Sequence, residues 1–315
     1  MIDVSILIVC YNSLTDIKNC LKGLYEKTKD VNFEVLLLDN SHDGTVEWVK
    51  GNYCQVRIIP NSTNLGFAGG NNLLAQHATG HFLLLLNPDT LITDNSVANL
   101  LLCAKKHPKH GAWGGITLYL DGLRENSSLQ VSPTLWNMFL LSVGLKSLRK
   151  GFLRERGERE QEVAILSGAF MLVERKIWNE IGGFDTSFFL YSEEVDLCFR
   201  IAQYTGMHPI MTPHASVIHL VGKSCDNKKE RMFGILRGQM HFDRKRHGIL
   251  HNITLAALIV SNALIRWLIS ILLRPLIGKE RAQRLHDTYK PIILNISEWW
   301  YGYTRHKTTT HPFPK

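Results

Sequence analysis

The stretch FLLLLNPD occupies residues 82–89, where five apolar residues are followed by the polar side chains of Asn87 and Asp89. A short, wholly apolar run of this kind is typical of a strand that is buried on both faces of a parallel sheet. The amide and carboxylate follow at the C-terminal end of that strand, where doubly wound sheets bind their ligands. The stretch therefore predicts an α/β fold with a ligand site beside residues 87–89.

Three earlier runs also predict strands, at residues 4–9, 34–38 and 56–59. Predicted helices separate the runs, at residues 15–28, 45–49 and 68–77. This alternation predicts a parallel sheet with crossover helices, whose strands all end at one edge. Polar residues follow each strand, so we expect a site along that edge.

A second acidic cluster lies about a hundred residues later, where Glu193, Glu194 and Asp196 begin a predicted helix. One carboxylate at a strand tip and others at a helix start suit a divalent cation held against a diphosphate, while another carboxylate accepts a proton. The alternative is that the acids only complement the helix dipole.

Composition limits the class of protein. The 315 residues, 45% of them hydrophobic, allow one large domain or one domain with an appendage. The net charge is +8, and residues 223–315 hold 17 of the 36 Lys and Arg but only 6 of the 28 Asp and Glu. This asymmetry predicts an anionic partner, either nucleic acid or the cytoplasmic face of a membrane. The six cysteines show no CxxC spacing, which predicts reduced thiols in a cytosolic protein.

Five segments together carry a resemblance to a known family. They are residues 4–12 (VSILIVCYN), 39–45 (DNSHDGT), 64–72 (NLGFAGGNN), 87–89 (NPD) and 183–200 (GFDTSFFLYSEEVDLCFR). Over residues 3–245 the chain resembles the inverting glycosyltransferase family 2, and within it the rhamnosyltransferase-like branch. The resemblance implies a GT-A fold, a nucleotide-diphospho-sugar donor and Mg²⁺ or Mn²⁺.

The resemblance implies that Asp39 recognises the base of the nucleotide. A carboxylate directly after a buried strand can accept a hydrogen bond from N3–H of uracil or thymine. The alternative is that Asp39 caps the turn before Thr45, a role that Asp43 could fill instead. Tyr11 and Asn12 are expected to flank the same nucleotide.

The glycine-rich segment is expected to let the backbone approach the ribose and the sugar. Gly66 and Gly70 would give close approach, while Asn64 and Asn71 would supply hydrogen bonds. The alternative is that the glycines serve close helix packing. The spacing is not GxGxxG, which argues against a Rossmann dehydrogenase.

Residues 87–89 correspond to the DxD motif of the family, with Asn87 in place of the first carboxylate. Asp89 is therefore expected to be the main protein anion at the metal, and Asn87 to contact the ribose or a metal-bound water. His219 would complete the metal shell or contact the diphosphate, unless its role is structural. Lys223 would neutralise the leaving diphosphate.

The acidic cluster corresponds to the ED motif of the family. By alignment Glu194 is the expected catalytic base, with Glu193 and Asp196 as competing candidates, and mutual repulsion would raise one pKa among them. Arg200 lies four residues after Asp196, a spacing that predicts an ion pair between them.

The apolar segment 253–277 has polar residues four apart, at Asn262, Arg266, Ser270 and Arg274. Residues 252–265, between His251 and Arg266, form a stretch of 14 residues without an ionisable side chain, which is shorter than the roughly 20 that span a bilayer. We expect an amphipathic helix that docks in the membrane interface with this stripe toward the headgroups, rather than a core helix, a dimer interface or a span. Residues 1–248 are the predicted catalytic domain, and residues 249–315 a helical membrane-associating or oligomerisation segment.

The expected function is transfer of a hexose, L-rhamnose from dTDP-rhamnose, to a lipid-linked saccharide in O-antigen-like cell-envelope polysaccharide synthesis. The site would face the cytoplasm at the inner face of the cell membrane, without nucleic acid as a partner and with homo-oligomerisation left open. Two alternatives remain. One is a UDP-hexose or UDP-N-acetylhexosamine donor, because uracil and thymine share one hydrogen-bonding edge. The other is a catalytically silent nucleotide-sugar-binding protein or membrane scaffold.

Overall fold

The computed structural model describes residues 2–125, 134–142, 159–220 and 228–305. The chain divides into two compact units. The first unit comprises Met1–Gln130, Leu153–Phe189 and Glu193–Ser224, and the second comprises Val131–Phe152, Leu190–Ser192 and Cys225–Lys315. The predicted boundary at residues 248 and 249 falls within the second unit. As a division between a catalytic and a membrane-associating domain it stays a prediction.

Over the described parts of the first unit, nine strands form a single mixed sheet. The strands are β1 (Val4–Cys10), β2 (Phe33–Asp39), β3 (Val56–Ile58), β4 (Phe82–Leu86), β5 (Thr90–Ile92), β6 (Ala112–Leu118), β7 (Gln161–Glu162), β8 (Phe170–Glu174) and β9 (Ile210–His219). Their order across the sheet is β3-β2-β1-β4-β8-β6-β9-β5, with β7 paired to β9.

Strands β1 to β4 are parallel, as the sequence predicts. Cys10 pairs with Asp39, so β1 and β2 end at the same level of the sheet. Beyond β4 the sheet becomes mixed, because β8 runs antiparallel to β4. Residues 210–219 form one continuous strand, β9, at the far side of the sheet.

The helices, in chain order, are α1 (Leu14–Lys27), α2 (Thr45–Asn52), α3 (Gly66–His77), α4 (Ser96–Lys106), α5 (Leu135–Ser142), α6 (Arg175–Ile181), α7 (Glu193–Thr205), α8 (Lys228–Arg246), α9 (Ile249–Leu272), α10 (Arg274–Ile277) and α11 (Lys279–Leu294). Short 3₁₀ helices follow at Ile296–Glu298 and Gly302–Arg305.

The core of the first unit lies on both faces of the sheet. On β4, Leu84 and Leu86 face one apolar cluster while Leu83 and Leu85 face the other. All five residues of this strand are at most 8% exposed, which explains why the run carries no polar residue. The described cysteines are free thiols, and all but Cys54 are buried.

The second unit has a helical core of its own. Its buried apolar side chains come from α8, α9, α11 and the following turn: Phe233, Met240, Leu255, Ala256, Ile259, Ala263, Ile292 and Trp299. The indole of Trp299 donates to the Ile292 carbonyl at 3.1 Å. The apolar segment 253–277 therefore lies mostly on a helix whose inner face builds this core.

Candidate active site

The ends of β1 and β2 place Asp39 at the edge of the sheet predicted for ligand binding. The side chain is 7% exposed, and its Oδ1 accepts hydrogen bonds from the Ser41 amide at 3.0 Å and the Ser41 hydroxyl at 2.7 Å. Burial raises the pKa of Asp39 above its ordinary value, although the bonds from Ser41 lower it. On the same edge the Asn12 amide donates to the Ser41 hydroxyl at 2.9 Å, and the Tyr11 side chain is exposed.

Asp43, rather than Asp39, takes the capping role that the sequence left open. Its Oδ1 accepts from the Thr45 amide at 3.0 Å, and its Oδ2 accepts from the Leu14 amide at 2.9 Å. Burial alone would raise the pKa of Asp43, but these bonds lower it below its usual value. Asp39 is therefore not required for that turn, which favours a ligand-binding role.

Asn40 ties the end of β2 to the glycine-rich segment. Its Oδ1 accepts from the Leu65 amide at 3.0 Å and from the Asn61 side chain at 3.1 Å, and its Nδ2 donates to the Gly66 carbonyl at 3.2 Å. Asn40 and Asn61 were missed as site residues. The available signal was their position just after predicted strands.

The glycines of this segment have packing reasons for their identity. Gly66 has φ +66°, and a Cβ there would lie 2.8 Å from the Phe189 carbonyl oxygen. A Cβ on Gly70 would lie 2.9 Å from both γ-methyl groups of Val9 on β1. Contact of either glycine with a nucleotide sugar therefore stays a prediction, and the packing alternative has direct support.

The two asparagines of the segment differ in what their oxygens bind. Asn64 Oδ1 accepts from the Gly66 amide at 2.8 Å, so this oxygen already stabilises the loop. Asn71 is 1% exposed, and its Nδ2 donates to the Phe67 carbonyl at 3.0 Å. Its Oδ1 is buried without a hydrogen-bond partner, which makes Asn71 the better candidate for a ligand contact.

Asp89 and His219 lie together because β5 pairs with β9 in the register Thr90 to His219. Asp89 Oδ1 is 3.3 Å from His219 Nε2, and the Asn87 side-chain nitrogen is 3.4 Å from the same ring nitrogen. Two ligand bonds of about 2.1 Å can bridge atoms up to about 4.2 Å apart, so Asp89 and His219 fit one divalent cation. A carboxylate oxygen at this position suits Mg²⁺ or Mn²⁺.

Glu125 completes this group and was missed by the sequence analysis. Its Oε2 is 3.0 Å from His219 Nδ1, so it orients the ring from the side opposite Asp89, as carboxylates outside a metal shell do. Burial lowers the pKa of His219, but the hydrogen bonds with Asp89 and Glu125 outweigh burial and raise this pKa to about 9. Glu125 follows β6 in a loop whose sequence carries no motif.

The acids of α7 have separate environments. Asp196 is 1% exposed and accepts from Arg200 Nε at 2.6 Å, which confirms the predicted ion pair. Arg200 also donates to the Ile181 carbonyl at 2.9 Å, so the pair fastens α7 to the end of α6. This structural engagement makes Asp196 a weaker candidate for the base than its neighbours.

Glu193 is 4% exposed, and its Oε2 has no hydrogen-bond partner. Burial, reinforced by the charge of Glu194, raises the pKa of Glu193 well above its usual value. The predicted rise in one carboxyl pKa is therefore found, with burial as its larger cause. The raised pKa favours the neutral form of this carboxyl, whereas a base must hold a negative charge when it accepts the proton.

Glu194 is only half buried, and it lies near Gly168, which contacts the start of α3 and precedes the partner of the end of β4. A Cβ added to Gly168 would lie 3.9 Å from Glu194 Cβ and 3.3 Å from the Phe67 ring. The next residue, Ala169, accepts the Asn87 amide at 3.1 Å. These contacts bring the start of α7 to the strand end that leads into Asp89. Lys223 lies outside the described residues.

A prediction concerns Glu193→Gln and the pH dependence of unfolding. The folded protein keeps a proton on Glu193 that the unfolded chain releases once pH exceeds the ordinary glutamate pKa. Stability from this group is thus present at low pH and is lost as pH rises toward its raised folded pKa. The test range starts just above the ordinary glutamate pKa and runs from about pH 5 to about pH 8. Over this range the Tm of Glu193→Gln should fall less than the Tm of the parent. Parallel Tm profiles would show that Glu193 is ionised in the folded protein.

Comparison with known proteins gives a family and relatives. Residues 5–182 match the model of glycosyl transferase family 2. The chain is 31% identical over 202 residues to an N-acetylglucosaminyl-diphospho-decaprenol L-rhamnosyltransferase of Mycobacterium tuberculosis, a match covering 59% of this chain and 66% of the relative. It is 24% identical over 225 residues to the rhamnosyltransferase WbbL of Escherichia coli, covering 69% of this chain and 83% of the relative. The match thus spans just under two thirds of the mycobacterial relative's length.

The fold is also similar to that of a solved structure. A mannosyltransferase from Pyrobaculum calidifontis, in complex with GDP-Man and Mn²⁺, superposes with a TM-score of 0.57 at 18% identity. The superposition covers 98% of this chain and 83% of the other. This likeness, with the mixed sheet described above, confirms the predicted GT-A fold.

Proposed function

Because the chain belongs to glycosyl transferase family 2, we infer that it transfers a hexose, with inversion, from a nucleotide-diphospho-sugar to a lipid-linked saccharide. The donor proposed is dTDP-rhamnose, and the process is cell-envelope polysaccharide synthesis. One observation carries the inference: the C-terminal edge of the parallel strands holds Asp39, the Asp89–His219 pair and, beside Gly168, Glu194.

The donor assignment starts at Asp39. Its carboxylate lies at the tip of β2. Because Asp43 caps the turn before Thr45, the Asp39 carboxylate can accept a hydrogen bond from N3–H of thymine or uracil. The names of two relatives include rhamnosyltransferase, which favours rhamnose among the sugars on such nucleotides.

The chemistry divides among three groups. A divalent cation held by Asp89 and His219 would offset the charge of the departing diphosphate. Glu125 holds His219 in orientation for that role through the other ring nitrogen. Glu194 would take the proton of the acceptor hydroxyl, because Glu193 is buried and Asp196 is paired with Arg200.

A binding panel tests the donor. Thermal shift of the full-length protein with Mn²⁺ would be measured for dTDP-rhamnose, UDP-glucose, UDP-N-acetylglucosamine and GDP-mannose. The largest rise in Tm is expected with dTDP-rhamnose, with smaller rises for the UDP-sugars because uracil lacks only the methyl group. If GDP-mannose gave the largest rise in Tm, the role given to Asp39 would be contradicted. If a UDP-sugar gave the largest rise in Tm, that sugar nucleotide would replace dTDP-rhamnose as the proposed donor.

We propose that the protein meets its lipid-linked acceptor at a membrane surface, and the support for this comes from α9. Within the described residues, α9 is the one helix long and apolar enough to cross a membrane by length and composition. Its outer face exposes a row of leucines four apart, Leu264, Leu268 and Leu272, which are 39%, 40% and 71% exposed. Exposed Arg274, Lys279, Arg281 and Arg284 follow in the chain and would favour anionic lipid.

The structure corrects the predicted orientation of α9. Asn262 and Ser270 were expected to face the headgroups, but they are 8% and 4% exposed and lie on the inner face. Arg266 donates to the Leu141 carbonyl at 3.2 Å, so it too is used within the unit. Helices α5 and α11 cover this inner face, and α11 carries exposed charges. Docking in the interface therefore fits better than a span, because a span would carry α11 into lipid.

A membrane prediction follows for the leucine row. The combined change Leu264→Ser, Leu268→Ser and Leu272→Ser should weaken binding to anionic liposomes by at least about 100-fold, since each buried leucine is worth roughly 1.5–3 kcal/mol. Sedimentation with vesicles measures this, and raised salt should weaken the parent's binding. Truncation before Ile253 is unsuitable, because it would remove Leu255 and Ile292 from the core of the unit.

The matched control is Leu102→Ser, which alters a leucine that is 62% exposed on α4. It should leave liposome binding unchanged. Equal binding by the parent and the triple variant would show that the exposed face of α9 does not dock on lipid.

A further inference from the structure

Three side chains converge where α8 passes into α9 in the second unit. Asp243 lies on α8, His251 on α9, and His247 between the two helices. His251 Nε2 is 3.1 Å from Asp243 Oδ1, and His247 Nε2 is 3.9 Å from the same oxygen. The two imidazole rings stack with centroids 3.9 Å apart and an angle of 22°, so both present Nε2 to one carboxylate.

The carboxylate of this group lacks a complete set of partners. Asp243 has a side-chain exposure of 1%, and its Oδ2 is buried with no hydrogen-bond partner. Burial raises the pKa of Asp243 to about 6, although His247 and Arg246 lower it. The Arg246 guanidinium donates to the Phe242 carbonyl at 3.1 Å and lies over the Phe242 ring. A buried carboxylate oxygen without a partner is costly unless a cation meets it.

We propose that Asp243, His247 and His251 bind a transition-metal dication of the Zn²⁺ type, at a site distinct from the donor-binding edge. Ligand atoms of the three side chains all lie within 4.8 Å of one another. Both distances to Asp243 Oδ1 are below the roughly 4.2 Å that two zinc–ligand bonds of about 2.1 Å can bridge.

The ligand types decide the class of ion. Two imidazole nitrogens and one carboxylate suit Zn²⁺ and its neighbours, whereas Mg²⁺ and Ca²⁺ prefer sets of oxygens. His247 has a side-chain exposure of 43% and His251 of 25%, so an ion could enter from solvent and keep water as a further ligand.

The site would fasten a corner of the helical unit. Asn252 Nδ2 donates to the His247 carbonyl at 3.2 Å, which already holds the turn between the helices. A metal bridging Asp243 on α8 and His251 on α9 would fix the angle between these helices. The role proposed for the ion is structural, and it goes beyond the transfer reaction.

The test is a metal titration of the full-length protein after chelator treatment. Co²⁺ binding would be followed by its visible absorption, and Zn²⁺ binding by competition. The variants are His247→Gln and His251→Gln, and the matched control is His208→Gln, which changes an exposed histidine of the first unit. His247→Gln alters a largely exposed ring, so it should fold even if His251→Gln does not.

The donor-binding edge can also bind a dication. The number of tight metal equivalents is therefore compared between the parent, the control and the two variants. The parent and His208→Gln should each bind one more tight equivalent than His247→Gln or His251→Gln, with affinity for that equivalent reduced at least about 100-fold in both variants. Zn²⁺ should raise the Tm of the parent more than that of the variants. Equal stoichiometry in the parent and His247→Gln, or no tight equivalent in the parent, would overturn the proposal and leave an ordinary Asp243–His251 ion pair.

Discussion

Asp89→Asn is expected to remove Mn²⁺-dependent binding of the nucleotide-sugar donor. Asn87 already stands where the family's motif has its first carboxylate, so Asp89 is the main anion beside His219. Even partners outside a metal shell are worth about 10–100-fold in metal affinity, so loss of a direct ligand should exceed about 100-fold. Calorimetric titration of dTDP-rhamnose, with and without Mn²⁺, measures the effect.

Asp94→Asn is the matched control, because it makes the same chemical change at an exposed carboxylate of the same unit. The control should bind donor and metal like the parent. If Asp89→Asn kept both the donor affinity and its dependence on Mn²⁺, then Asp89 would not belong to the metal site.

Glu194→Gln should leave donor affinity near that of the parent while lowering turnover by about 10²–10⁴-fold, the usual contribution of a general base. Glutamine keeps the size of the side chain but cannot take a proton. Glu194 is half-buried beside Gly168, whereas burial raises the pKa of Glu193 well above its usual value.

The neighbouring acids supply the comparison for this prediction. Glu193→Gln should keep most of its turnover, since the raised pKa of Glu193 disfavours the charged form that a base needs. Asp196→Asn should destabilise the fold by leaving the Arg200 charge unpaired, with its effect seen in Tm. A large turnover loss in Glu193→Gln, together with an active Glu194→Gln, would move the base by one residue.

Local pattern was enough to predict the parallel half of the sheet. The run at residues 82–86 is buried on both faces, and its composition alone indicates this. The register of β1 with β2 then brings Asp39 to the edge where the sequence placed the site. The first feature depends on residues within one strand, and the second on two consecutive strands of the alternating pattern.

Pairings between distant segments could not be predicted in the same way. Glu125 reaches His219 because β6 and β9 are parallel neighbours, and no motif marks that long-range pairing. Asn40 binds backbone groups of the glycine-rich segment some 25 residues on. The Glu125 contact has no signal in the residue pattern, whereas Asn40 at least stands just after a predicted strand.

The predicted orientation of the polar stripe on α9 was wrong for a related physical reason. Periodicity identifies two faces of a helix, but it does not say which face a neighbouring helix covers. Here α5 and α11 cover the face with Asn262 and Ser270, and the leucine row is left outside. On the covered face Ser270 donates to the Trp267 carbonyl of its own helix, while Asn262 Nδ2 is buried without a hydrogen-bond partner.

The most direct measurement is transfer itself. The full-length protein would be incubated with dTDP-rhamnose, Mn²⁺ and an N-acetylglucosaminyl-diphospho-lipid, and nucleoside diphosphate release and product configuration would be followed by NMR. Release of dTDP is expected, together with a rhamnosyl product whose anomeric configuration is opposite to that of the donor. Retained configuration, or donor binding without any release of nucleoside diphosphate from any nucleotide sugar, would contradict an inverting transferase.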